Sequence, residues 1–162
     1  MVAGALRRIL PLYDDTALDW VAVRVDDLVD SEVIPHPHEL IGVVEPGVVA
    51  AEWLSTMLLP FHTVAFTLRR DAFLRAGGYP ALMAAEDVGL VLSVSDASRG
   101  VVLDETLALY RKWSLQTTTT SASYAELRPL CLELLTEAAQ VRRSGSCTTP
   151  GGRSDARTPK QT

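Results

Sequence analysis

One ordered stretch limits the fold more than any other part of the chain. It runs from Phe66 to Thr120, FTLRRDAFLRAGGYPALMAAEDVGLVLSVSDASRGVVLDETLALYRKWSLQTTTT. A strand-like run over His62–Leu68 leads into a short helix over Arg70–Ala76. Gly77-Gly78 then supply the positive φ that a helix C-cap prefers. Glu86-Asp87 open an apolar helix over Glu86–Ser98, which Gly100 is expected to stop. Short strands over Val101–Leu103 and Leu107–Tyr110 follow. Strands interleaved with helices favour an α/β fold.

The flanking segments extend that pattern. Ala3–Tyr13 has apolar residues at Leu6, Ile9, Leu10 and Tyr13, a helical spacing that Pro11 should cut short. Trp20–Val25 alternates and is rich in β-branched residues, so it reads as a strand. Three prolines and two glycines over residues 31–47 predict a loop. Val48–Leu58 returns to helix, with Val49, Trp53 and Leu54 or Met57 on one face. Tyr124–Arg143 is amphipathic, with Leu127, Leu130, Leu134 and Leu135 on one side. From Ser144 onward the chain is rich in Ser, Thr, Gly and Pro and lacks large apolar residues. It should be disordered, because it cannot offset its ordering entropy. The expected organisation is one domain over 1–143 and a tail over 144–162.

At 162 residues, 48% hydrophobic and 22% charged, the chain can bury one substantial core. A net charge of −5 argues against a nucleic-acid partner, which requires a basic face. No apolar run reaches the roughly 18 residues of a membrane span, and the N-terminus has no signal-like apolar core. The expected location is therefore cytoplasmic. Cys131 and Cys147 read as free thiols. His36-Pro37-His38 lacks the further ligands that would complete a metal site, so no metal ligand is assigned within the chain.

Glu86 and Asp87 carry the chemistry. A first helical turn favours carboxylates, through its free N–H groups and the positive end of the macrodipole. Taken alone, such a pair is a common helix-start feature. The order Gly77-Gly78-Tyr79, then Glu86-Asp87, then LALYRKWSLQTT resembles the acceptor-side half of inverting family-2 glycosyltransferases of the GT-A fold, and of an actinobacterial subgroup among them.

The resemblance implies that Asp87 is the catalytic base. It would take the proton from an acceptor hydroxyl as the oxygen attacks the anomeric carbon of a nucleotide-sugar donor. Glu86 would orient the acceptor or brace the loop. Arg111 would face the donor phosphates through its planar fork, or else brace the acidic pair. Trp113 stands where many relatives carry a histidine, and could stack on a sugar. His62 is a possible acceptor contact, and Gly78 belongs to the Gly-Gly-aromatic motif. Arg69-Arg70 also fits the family pattern, with at least one of the two expected to be a solvated strand end.

The resemblance also implies a strand cradling the nucleotide and an Asp-x-Asp holding Mg or Mn on the diphosphate. Asp14-Asp15 and Asp26-Asp27 are adjacent pairs and do not supply that motif. The fold expected is thus a partial GT-A domain without most of its N-terminal nucleotide-binding half, inactive alone. A non-catalytic carbohydrate- or protein-binding module of the same ancestry is the second reading. An unrelated α/β domain is the third.

Overall fold

Alternating valines behind a tryptophan make β1 (Trp20–Val29) the strand on which the sheet is built. The computed structural model describes residues 1–36, 40–116 and 120–145. Within them β1 pairs in parallel along its length with β5 (Gly100–Lys112). Its other edge is shared by two short antiparallel strands. β4 (Phe66–Leu68) pairs with the first residues of β1, and β2 (Glu32–Ile34) with its last. β3 (Gly42–Val44) pairs antiparallel with the start of β5. The order is β2-β1-β5-β3, with β4 joining β1 off that path, so the fold is mixed α/β with a mixed sheet.

Each sheet face buries its own core. Val21, Val23 and Val25 pack beneath α1 (Ala5–Ile9) and the 3-10 turn Leu10–Asp14, around Ala5 and Ile9. The neighbouring residues Trp20 and Ala22 pack against α2 (Val48–Thr56) and α4 (Glu86–Ala97). This is the period-two consequence of a strand covered on both sides. Trp20 is fully buried, tilts against Phe61 and Phe66 at 5.5 and 5.4 Å, and donates its indole N–H to the Ser98 carbonyl.

Several sequence expectations need correction. β1 continues four residues past Val25, through Asp26 and Asp27, because β2 and β5 pair with it there. The segment expected as a loop over 31–47 holds β2 and β3. Val33, Ile34, Val43 and Val44 suit a strand, but pairing with β1 and β5 is what fixes these three-residue segments; residues 37–39 lie outside the described set. His62–Leu68 is not strand throughout: a 3-10 turn, Thr63–Ala65, precedes β4. The two strands expected over 101–110 are one, β5, whose register against β1 shifts around Arg24. Asp104 and Glu105 fall at that irregularity and pair with Arg24 and Arg8. Gly100 does not stop a helix. It begins β5, and a Cβ there would overlap the Trp20 ring.

The Gly-Gly cap agrees with expectation. α3 (Arg70–Arg75) ends with Gly78 N–H bonded to the Phe73 carbonyl and Gly77 N–H to that of Leu74, both glycines at positive φ. This is the paired-bond termination that favours glycine after a helix. α5 (Ala122–Gly145) is longer than expected and extends into the segment assigned to the tail. It buries Cys131, Leu135 and Ala139, while Leu130 and Leu134 face outward, so the expected leucine stripe is only partly its packing face. Cys131 is a free thiol. The remaining tail, 146–162 with Cys147, lies outside the described residues.

Candidate functional site

The site begins at the turn into α4. Ala85 occupies the N-cap position with φ 58° and ψ 25°, left-handed backbone that costs a non-glycine residue about 1 kcal/mol. No side chain caps α4 at that position. Two residues later Asp87, half-buried, accepts a 2.5 Å hydrogen bond at Oδ2 from the Thr63 hydroxyl and a 2.8 Å bond at Oδ1 from the Val88 N–H. Both partners are neutral donors. The carboxylate is held in orientation with no cation in a salt bridge to it among the described residues.

Beside Asp87 opens a cavity of about 260 Å³. Its apolar wall comes from α2 and the segment after it, with Trp53, Leu59 and Phe61 among the lining residues. Its polar wall includes His36, His62, Thr63 and Asp87, and α5 contributes Tyr124 and Arg128. The Trp53 side chain is buried, and its indole N–H has no hydrogen-bond acceptor among the described residues. An orphaned buried donor costs about 1–3 kcal/mol.

His62 precedes the 3-10 turn and caps it, its Nδ1 accepting from the Val64 N–H at 3.2 Å. The neutral ring therefore carries its proton on Nε2. Its ring lies 4.6 Å from that of Tyr110. Burial pushes the imidazole pKa below its ordinary value, and His36 and Lys112 add to that. Asp27 and Asp87 oppose them without cancelling the shift.

A second acid sits nearby with the opposite surroundings. Asp27, near the end of β1, has a side chain 13% exposed, and Lys112 Nζ lies 2.6 Å from its Oδ2. His36 Nδ1 is 3.9 Å from the same oxygen. Asp26 accepts from the His36 N–H at 3.3 Å. Sequence reasoning treated Asp26-Asp27 only as a failed Asp-x-Asp. Asp27 finds its cation in Lys112, which is distant along the chain.

Of the residues singled out from sequence, Asp87 and His62 share the cavity. Glu86 is exposed, and neither it, Arg111, Trp113 nor Gly78 is among the residues lining that cavity. Strand alternation places Tyr110 and Lys112 on one face of β5 and Arg111 on the other. Trp113 follows β5 with 58% of its surface open. Gly78 serves the α3 cap and sets out Tyr79, whose ring meets Phe73 edge-on. Arg69 is structural: its guanidinium donates to the carbonyls of Tyr13, Asp15 and Leu18. Arg70 is the solvated member of that pair. His38 lies outside the described residues. Thr63, Trp53 and Arg128 were missed, since a threonine beside a histidine or an arginine on a helix carries no signal in isolation.

Among the described residues no cluster of three or more His, Cys, Asp or Glu side chains is placed to hold a metal ion. Among them, too, no helix is long and apolar enough to cross a membrane. Comparison with protein-family models, curated proteins and solved structures gives no significant match.

Proposed function

We propose that this chain is the acceptor-side portion of an inverting GT-A glycosyltransferase, with Asp87 as its general base. The observation that carries the reading is the placement of Asp87. A half-buried carboxylate, oriented by Thr63 and the Val88 N–H, lines a cavity with one apolar and one polar wall. Orientation by neutral donors leaves its charge available to a proton, as base catalysis requires. The acceptor hydroxyl gives its proton to Asp87 while its oxygen bonds to the anomeric carbon of the sugar. The bond from that carbon to the diphosphate breaks on the opposite face. The nucleoside diphosphate leaves with the electron pair, and the configuration inverts.

His62 offers an Nε2–H beside this centre, suited to hold an acceptor oxygen. Donor binding, and the Mg or Mn that would neutralise the leaving diphosphate, require a nucleotide-binding unit in addition to the described residues. Without one, these residues should transfer little or no sugar. The test is Asp87→Asn in the native gene product, assayed for nucleoside diphosphate release from a panel of UDP-, GDP- and dTDP-sugars. Loss of release with an unchanged unfolding midpoint supports the assignment; retained release removes Asp87 from the role.

One observation favours a second reading, a non-catalytic carbohydrate-binding module. Trp113, exposed just after β5, presents an open ring for stacking on a sugar face. That module would bind oligosaccharides equally well with Asp87→Asn and lose them with Trp113→Ala.

A further inference from the structure

The cavity beside Asp87 has an uneven chemistry that points to one class of acceptor. Its apolar side, with Trp53, Leu59 and Phe61, offers no row of donors and acceptors to match the hydroxyls of a sugar. The polar groups instead include two of different kinds. One is the Asp87–Thr63 pair, which suits a hydroxyl. The other is Arg128 on α5, beside Tyr124. Arg128 takes part in none of the ion pairs formed among the described residues. It is an exposed residue that lines the cavity, and a guanidinium without a carboxylate partner among the described residues is suited to an incoming carboxylate or phosphate.

We propose that this cavity takes an amphipathic hydroxy acid: an apolar, ring-sized body against Trp53 and Phe61, a hydroxyl at Asp87 and Thr63, and an anionic group at Arg128. The identification of the hydroxyl as the point of transfer rests on the glycosyltransferase reading; the binding geometry does not. Recognition at both ends would select against neutral alcohols, which leave Arg128 unmatched. It would also select against acids without a hydroxyl, which leave Asp87 unmatched.

Three small probes separate these contributions when titrated calorimetrically into the purified chain: 4-hydroxyphenylacetate, 4-methylphenol and phenylacetate. 4-Hydroxyphenylacetate should bind tightest. Arg128→Gln should weaken it about tenfold, as expected for loss of a charge-assisted bond, and change 4-methylphenol by less than about twofold. Arg128→Lys, which keeps the charge, should retain the preference for the acid over 4-methylphenol. Equal affinity for the acid and 4-methylphenol, an Arg128→Gln effect of the same size on both, or no saturable binding of any probe would overturn the proposal. Arg128-dependent binding of the acid, unaccompanied by sugar transfer in the native gene product, would uphold the site and count against the transferase reading.

Discussion

Asp27 and Asp87 are both withdrawn from water, yet they have been given opposite surroundings. Asp27 has an ammonium 2.6 Å away, from Lys112 on the neighbouring strand. Asp87 has a hydroxyl at 2.5 Å and a backbone N–H at 2.8 Å, and no cation in a salt bridge with it among the described residues. An ion pair neutralises a carboxylate and ties two strands together. Neutral donors fix its direction and leave its charge to be used. The first arrangement is structural and the second is suited to chemistry. The lesson is that partners, more than burial, separate the two roles.

The largest expected effect tests this contrast directly. In the native gene product, Asp87→Asn should lower kcat for sugar transfer by about 10²–10⁴-fold, the usual worth of a positioned base. Asp27→Asn should change it far less. A comparable loss from Asp27→Asn would dissolve the distinction.

Next in size is the reverse effect on stability. Asp27→Asn should lower the unfolding free energy by about 1–2 kcal/mol in urea titration, limited because Lys112 can turn to solvent. Asp87→Asn should stay within about 0.5 kcal/mol, since the amide oxygen can accept from the Val88 N–H while its NH2 donates to the Thr63 hydroxyl, which can turn to accept.

Thr63→Val sharpens the contrast from the other partner. It removes the hydroxyl and leaves the Val88 N–H in place. We expect kcat to fall roughly tenfold with KM little changed, as for an interaction that orients the base and does not hold the acceptor. An unchanged kcat would mean that the Thr63–Asp87 bond is structural only.

The smallest effect concerns His62, which feels the charge of both acids. Its folded-state pKa is below the unfolded value of about 6.5. The unfolded chain therefore binds the proton more readily. Stability should be constant above about pH 6.5 and fall as the pH drops from there through the folded value. His62→Asn should remove that component, visible as a flatter curve of unfolding midpoint against pH below 6.5.

The contrast between the acids was half legible in the sequence. Asp87 was marked by its place after Gly77-Gly78-Tyr79 and at the head of an apolar run, both local patterns. The α3 termination followed from the same two glycines. Asp27 was not legible, because acidic residues are depleted in strands and the sequence beside it gives no reason to extend β1. Only β5 and Lys112, far along the chain, supply that reason. β2 and β3 were hidden for a similar cause: three residues among prolines carry no period, and pairing fixes them. In α5 the leucines suggested one packing face, but Cys131, Leu135 and Ala139 form it. Leu135 is the buried member of the expected stripe, and the small residues Cys131 and Ala139 complete the face. The cavity itself joins α2, the turn before β4, α4 and α5, and no local pattern reports such a meeting.

The most direct measurement is nucleoside diphosphate release by the native gene product and its Asp87→Asn and Asp27→Asn variants, each first shown to be folded under the assay conditions. The account predicts that release is lost with Asp87→Asn and largely kept with Asp27→Asn, although Asp27→Asn is the less stable protein. Equal release from the native protein and Asp87→Asn, or loss only with Asp27→Asn, would contradict it.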